Sequence, residues 1–267
     1  MAGAAGGAAR RALGVSARVS RPGLDRRLVA EAVGTAMLLA AVVGSGIMGE
    51  RLAGGNVAVA LLANTLATGA ALVALILTFG PISGAHFNPA VTLADAFQGG
   101  LRWRDVPAYL AAQIVGAFAG VAAAHLMFGE PIFFASRHAR AGGAQVFSEF
   151  VATFGLLAVI WGCARLNASR VPFAVAAYIT AAYWFTASTS FANPAVTLAR
   201  SASDTFAGIR PADAPAFIAA QLVGAGAATS LFRWLVPASG ARTEPTTLVH
   251  TVDITAERSA AQRGGHP

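Results

Sequence analysis

One nine-residue stretch occurs twice in the chain and constrains its fold more than any other feature. The copies are 86–94 (HFNPAVTLA) and 191–199 (FANPAVTLA). Asn is favoured immediately before a helix and Pro suits the first helical position, so each copy predicts a helix start. Polar or glycine-rich chain follows each copy within roughly ten residues, whereas a bilayer-spanning helix needs about 20. Each copy therefore predicts a half-helix, over about 88–98 and 193–203.

Long apolar runs surround both copies of the Asn-Pro-Ala motif, which are called boxes below. The chain is 56% hydrophobic and 12% charged, with a mean hydropathy of +0.61, which is typical of a membrane protein. Six runs are long enough to span a bilayer. They are 28–49, 56–79, 106–128, 146–164, 172–190 and 213–236.

The two halves of the chain repeat each other. Residues 105–117 (DVPAYLAAQIVGA) align with 213–225 (DAPAFIAAQLVGA), and EAVGT at 31–35 aligns with EFVAT at 149–153. Each half contains three spans, which is an odd number, so the second half enters the membrane inverted. The sequence therefore predicts two half-helices that meet N-terminus to N-terminus near the middle of the membrane.

Two Asn-Pro-Ala boxes among six predicted spans resemble the aquaporin and aquaglyceroporin (major intrinsic protein) family, from about residue 28 to 235. The resemblance implies an all-α membrane protein with six transmembrane helices, two re-entrant half-helices and one pore per chain, assembled as a homotetramer. It assigns the pore motifs to Asn88, Pro89, Ala90, Asn193, Pro194 and Ala195.

The residues before each box are expected to be non-helical at membrane depth. Such backbone is tolerated where it lines a water-filled cavity. The predicted pore-lining backbone comprises Gly84, Ala85, His86, Thr189 and Phe191. His86 also suggests a metal ligand or a general base, but no second His, Cys or carboxylate stands at ligand spacing. A hydrogen-bonded structural role is favoured, and neither a metal nor a cofactor is expected.

Two carboxylates, Glu31 and Glu149, lie within predicted spans. An intramembrane carboxylate is a functional candidate by default, for example in a proton relay. The resemblance implies the other role, in which each Glu accepts hydrogen bonds from loop backbone beside a half-helix. Gln113 and Gln221 look like similar buried polar anchors.

In the family that this chain resembles, four residues form a ring at the narrowest point of the pore. Counting from the two Asn-Pro-Ala boxes places this ring on Thr68, Ala181, Ser190 and Val196. Val196 stands where the family usually has an arginine. All four side chains are small, and none is charged. We therefore expect a wide opening that admits bulkier neutral solutes, with cation exclusion left to the half-helix ends.

Arg200 lies four residues after Val196, on the same helix face and about one turn further out. It can supply a displaced charge at the outer mouth. Alternatively it pairs with Asp204 at i+4 or extends to the membrane interface. The second interpretation is favoured here.

These features predict a passive channel for water and small uncharged solutes, and the resemblance implies glycerol-like polyols and metalloid hydroxides such as arsenite among them. Bacterial family members with a non-Arg filter resemble this chain. A secondary active transporter is the alternative, because it also uses inverted repeats and broken helices. An enzyme is not expected, since no nucleophile–base pair or phosphate loop is present.

The arginine distribution predicts the topology. The net charge of +7 comes from 19 basic residues, all of them Arg, and most lie at the ends of apolar runs, so no nucleic-acid partner is expected. With the N-terminus inside, most arginines fall on cytoplasmic segments. We expect an inner-membrane protein with cytoplasmic tails at 1–27 and 237–267. The channel domain covers 28–236, with repeats at about 28–128 and 146–236.

Overall fold

The computed structural model describes residues 22–236. Most of both predicted tails therefore lies outside the described residues. The first helix begins at Leu24, four residues before the start of the first predicted span. The described part is all-helical, without a β-strand, and its helices are α1 Leu24–Leu52, α2 Val57–Ser83, α3 Pro89–Phe97, α4 Val106–Phe128, α5 Gly143–Leu166, α6 Val171–Phe185, α7 Pro194–Arg200 and α8 Ala214–Leu235.

Local sequence signals set several of these boundaries. The Asn56 side chain caps α2 by accepting hydrogen bonds from the backbone N–H groups of Ala58 (3.1 Å) and Val59 (3.2 Å). Helix α2 ends at Gly84, which has a left-handed φ of 97°. Glycine adopts this conformation without a steric penalty, so it suits the end of a helix.

Five helices are long and apolar enough to cross a membrane: α1, α2, α4 with the turn before it, α5 and α8. The remaining predicted span, 172–190, is shorter than expected, because α6 has 15 residues and ends at Phe185. The chain that follows is polar, and the Thr186 hydroxyl donates to the carbonyl of Ala182 (2.7 Å). Side-chain bonds of this kind compete with helix continuation.

Helix packing follows the inverted repeat. Helix α1 packs against α2 and α4, while α5 packs against α6 and α8, and the α2–α6 contact joins the halves. Small residues allow the close approaches. Gly116 of α4 lies against the backbone of Ala32 in α1, and a β-carbon at Gly224 of α8 would lie 2.6 Å from the carbonyl oxygen of Phe150 in α5. Such positions let backbones pack without a side chain between them.

Half-helices α3 and α7 occupy the middle of this bundle. Both contact α4 and α8, and they also contact each other. Helices α4 and α8 therefore support the half-helices from behind. The other four long helices, α1, α2, α5 and α6, are left to face the space in front of the half-helix tips.

Candidate functional site

The tips of the two half-helices are joined by a reciprocal pair of hydrogen bonds. The Asn88 Nδ2 atom donates to the carbonyl of Ala192 (2.7 Å), and the Asn193 Nδ2 atom donates to the carbonyl of Phe87 (2.8 Å). The Asn88 Oδ1 atom also accepts from the N–H of Ala90 (2.9 Å). Each asparagine thus caps its own half-helix and binds the loop of the other.

The remaining box residues form the helix starts. Pro89 and Pro194 are the first residues of α3 and α7, where the missing N–H costs nothing. Ala90 and Ala195 are fully buried behind the asparagines. The structure therefore brings all six motif residues together at one place, with the two helix N-termini facing each other.

The backbone before each box has the same unusual conformation in both halves. Left-handed φ values occur four, three and one residues before each asparagine. These residues are Gly84, Ala85 and Phe87 in the first half, and Thr189, Ser190 and Ala192 in the second. For a residue other than glycine this conformation costs about 1–2 kcal/mol. Both loops therefore need strong partners to hold them.

Glu31 supplies those partners in the first half. Its carboxylate accepts hydrogen bonds from the backbone N–H groups of His86 (3.0 Å) and Phe87 (2.7 Å). It also accepts from the Ser83 hydroxyl (2.6 Å) and the Gln113 amide (2.8 Å). Four donors therefore converge on one fully buried carboxylate, and this holds the loop in place.

Glu149 repeats this arrangement in the second half. It accepts from the N–H groups of Phe191 and Ala192 (both 2.9 Å) and from the amide of Gln221 (2.6 Å). Gln221 also donates to the Thr197 hydroxyl (2.9 Å) on α7. Each Glu–Gln pair therefore links a strained loop to its half-helix. Neither carboxylate lines the cavity, so the contacts favour the supporting role over a proton relay.

His86 lines the cavity, and its ring is engaged on both nitrogens. Nδ1 lies 3.1 Å from the Thr92 hydroxyl, and Nε2 lies 3.5 Å from a carboxylate oxygen of Asp95. Between residues 22 and 236, no three His, Cys, Asp or Glu side chains form a group that can hold a metal ion. The geometry fits the hydrogen-bonded role.

One cavity of about 80 Å³ passes both asparagines. One of its walls is a strip of loop backbone and amide groups at 84–88 and 190–193. Most of the apolar lining comes from α1, α2, α5 and α6, which also contribute the hydroxyls of Thr68 and Tyr183. The apolar residues of these helices are Leu38, Val42, Leu72, Ile76, Leu156, Ile160, Val171, Val175 and Ile179.

Three of the four predicted filter residues, Thr68, Ser190 and Val196, line this cavity, but Ala181 does not. Ala181 lies on the exposed side of α6. The residues of α6 that line the cavity recur every four positions and end at Tyr183. Counting twelve residues back from Asn193 leads to Ala181, which is on another face of the helix. The Tyr183 hydroxyl lies 3.3 Å from the hydroxyl of Thr68.

Arg200 also differs from expectation. It is 2% exposed and lines the cavity. Its Nε atom donates to the carbonyl of Ala207, and its guanidinium carbon lies 3.4 Å from the centre of the Phe191 ring. Asp204 pairs instead with Arg137 (2.8 Å). The favoured pairing of Arg200 with Asp204 is therefore not formed. Arg200 instead brings a charge to the cavity, as the other interpretation expects, beside the uncharged residues predicted for the ring.

Sequence reasoning gave no role to Arg140, in the connection between α4 and α5. This buried side chain donates from Nε to the carbonyl of Gly208 (2.8 Å) and from Nη1 to the carbonyl of Ser188 (3.1 Å). Its guanidinium carbon lies 5.0 Å from the centre of the Phe191 ring. Burial lowers the pKa of Arg140 to about 10, so the group remains charged at neutral pH. No local sequence motif marks this contact.

Two half-helices that meet tip to tip beside one cavity, within a bundle of membrane-spanning helices, define a membrane channel. The model of the major intrinsic protein family matches residues 18–171, and the chain belongs to this family.

Relatives agree with this assignment. The chain is 58% identical over 213 residues to aquaglyceroporin AqpS of Rhizobium meliloti (strain 1021), covering 80% of this chain and 91% of that protein. It is 37% identical over 144 residues to aquaporin NIP1-3 of Oryza sativa subsp. japonica, a match that covers 53% of this chain and 49% of that protein. The crystal structure of the aquaglyceroporin from Plasmodium falciparum shares the fold, with a TM-score of 0.59 and 20% sequence identity. The match covers 80% of this chain and 95% of that one.

The chain is therefore a multi-pass membrane protein and a passive channel for water and small solutes. The alternative of a secondary active transporter receives no support from the family or its relatives.

Proposed function

We propose that the channel conducts glycerol-like polyols and metalloid hydroxides such as arsenite, in addition to water. The observation that carries this proposal is the mixed lining of the cavity, in which apolar side chains accompany the loop residues and amides at 84–88 and 190–193. A polyol presents hydroxyl groups on one side and C–H groups on the other, so it matches both kinds of lining. A metalloid hydroxide is a small neutral molecule with several hydroxyls, and it uses the same polar groups.

Asn88 and Asn193 provide the central recognition point. Each amide has two N–H donors, and one of them binds the opposite loop. Both residues line the cavity, so the second donor of each amide can bind a passing oxygen. The positive ends of two helix dipoles meet at this point and repel cations. A water molecule oriented by both amides cannot continue a proton wire.

The selectivity filter in this proposal consists of Thr68, Tyr183, Ser190, Val196 and Arg200. The buried Ser190 hydroxyl has no hydrogen-bond partner among the described residues. Together with the hydroxyls of Thr68 and Tyr183 and the guanidinium of Arg200, it can bind a solute with three hydroxyls. Val196 keeps one side of the ring small. Because Arg200 is charged, cations are repelled here as well as at the asparagines.

We also propose a homotetramer in the bacterial inner membrane, with both termini in the cytoplasm and without enzymatic activity. The supporting observations are the arginine-rich segments on the side of the termini and the large apolar side chains exposed on α2, such as Leu62 and Leu66. Native mass spectrometry in detergent tests the assembly. Four copies per particle are expected, and a monomer would contradict the proposal.

Stopped-flow swelling of proteoliposomes tests the solute range. Purified protein is reconstituted and exposed to inward gradients of glycerol, urea or neutral arsenous acid, and water flux is measured separately. We expect faster swelling than in empty liposomes with glycerol and arsenous acid, and no effect of an uncoupler. Flux of water alone would overturn the solute assignment, and uncoupler sensitivity would overturn passive conduction.

A further inference from the structure

A second, larger cavity of about 320 Å³ lies between α3 and α8, behind the pore. Its walls are mostly small or apolar. Helix α3 contributes Ala90, Ala94 and Phe97, and helix α8 contributes Ala225, Gly226 and Arg233. Phe97 is 63% exposed, so the cavity is an open groove on the outside of the bundle.

The groove has the length of one membrane leaflet. Its wall on α8 extends from Leu222 to Arg233, which is about 16 Å at the helical rise of 1.5 Å per residue. Half of a hydrocarbon core measures about 15 Å. Helix α3 begins at the central tip and runs outward to Phe97, so the groove leads from the middle of the membrane to one surface.

The surface end of the groove is positively charged. Arg233 is exposed there and forms no ion pair within residues 22–236. Arg165 of α5 lies beside it, because its Nη1 atom donates to the carbonyls of Phe232 and Val236. The groove therefore ends in the guanidinium of Arg233, with Arg165 near it but not in its wall. An apolar groove with a guanidinium at its end complements a fatty acyl chain attached to a phosphate headgroup.

We propose that this groove binds one acyl chain of an anionic phospholipid from the leaflet on the side of the chain termini, with the headgroup at Arg233. The bound chain packs against the back of α3. The front of α3 faces the pore through Asn88 and Val91. The lipid therefore supports the half-helix that carries the first box. This inference depends on the membrane placement of the channel and not on which solute it conducts.

Gly226 offers a way to fill the groove without disturbing the bundle. A β-carbon at Gly226 would meet no atom within 4 Å, whereas one at Gly224 would collide with the backbone of Phe150. Gly226→Leu therefore places a side chain in the groove, and Arg233→Gln removes the charge at its end. Arg26→Gln is the matched control, since Arg26 is exposed at the same membrane face on α1, which does not line the groove.

Native mass spectrometry with phosphatidylglycerol and phosphatidylcholine tests the proposal, and a single symmetric peak in size-exclusion chromatography confirms that each variant is folded. We expect the wild-type protein to retain phosphatidylglycerol preferentially. Binding should fall about fivefold in Arg233→Gln, since one arginine contributes roughly that factor at an anionic surface. Gly226→Leu should abolish the bound lipid, and Arg26→Gln should match wild type.

Three outcomes would overturn the proposal. Equal retention of both lipids, or equal retention by wild type and Arg233→Gln, would exclude a headgroup site. Unchanged binding in Gly226→Leu would place the lipid elsewhere. Loss of subunits from the assembly in Gly226→Leu would show that a neighbouring protein chain covers the groove. Each outcome leaves the solute-conduction result unaffected.

Discussion

The guanidinium carbon of Arg200 lies 3.4 Å from the centre of the Phe191 ring. This cation–π contact, together with the bond to the Ala207 carbonyl, holds a buried positive charge against the cavity. Stacking on an aromatic face stabilises a desolvated guanidinium. The charge that Val196 lacks is therefore supplied from one turn further along α7.

Replacing Arg200 with Met should increase leakage of protons and sodium ions. The buried charge repels cations, and removing about 1.4 kcal/mol of barrier raises a rate about tenfold. The measurement is the decay of a pH gradient across proteoliposomes. Arg137→Met is the control, because that side chain is 91% exposed on the same side of the channel. An unchanged leak in Arg200→Met would remove Arg200 from the filter.

Replacing Arg140 with Met should produce part of the same leak, because Arg140 binds the Ser188 carbonyl and contacts the Phe191 ring. If Arg140 acts by positioning Phe191 and Arg200, Arg140→Lys should leak as well, since Lys lacks the planar fork that holds two carbonyls. The double variant with Arg200→Met should leak no more than Arg200→Met alone. If Arg140→Lys leaked no more than wild type, Arg140 would act through its charge alone.

Replacing Val196 with Arg should narrow permeation toward water. Val196 lines the cavity one turn before Arg200, so a long side chain there fills the small side of the ring. We expect glycerol swelling to fall at least about tenfold, a barrier increase of roughly 1.4 kcal/mol, while water flux persists. Val196→Leu, a smaller change, serves as the control. Unchanged glycerol flux in Val196→Arg would place the narrowest point elsewhere.

Replacing Glu31 with Gln should destabilise the folded channel. The carboxylate binds four donors, whereas an amide has a single acceptor oxygen. Each buried donor left unsatisfied costs about 1–3 kcal/mol. Thermal unfolding in detergent should show a much lower midpoint than wild type. Glu50→Gln, at an exposed site on the same helix, should unfold like wild type, and equal midpoints for both variants would contradict the role of Glu31.

The sequence alone was sufficient for features that depend on local chemistry or on the internal repeat. Asn before a helix and Pro at its first position are both favoured, and apolar residues follow in both copies, so the half-helices were predictable. The alignment of the two halves also showed that Glu31 is equivalent to Glu149, and Gln113 to Gln221. The inverted arrangement followed from the odd number of spans in each half.

The proposed filter could not be predicted in full, because its residues are brought together by contacts between distant segments. The position of Tyr183 depends on the rotation of α6, which a count of residues from the box does not reveal. Arg200 has an acidic residue at i+4, but Phe191 and the Ala207 carbonyl bind it instead. Arg140 enters from a loop whose path is set by tertiary packing.

The central claim is that solutes pass through the cavity in front of the two half-helix tips. Cysteine blocking of glycerol swelling tests it most directly. Val196→Cys and Arg137→Cys are each made in a Cys163→Ser background, since Cys163 is a free thiol. Val196 lines the cavity, whereas the Arg137 side chain is 91% exposed and does not line it.

We predict that a water-soluble thiol reagent stops glycerol swelling in proteoliposomes with Val196→Cys and has no effect on those with Arg137→Cys. Mass spectrometry confirms that Val196→Cys is labelled. Undiminished swelling after complete labelling at position 196 would contradict a passage along this cavity.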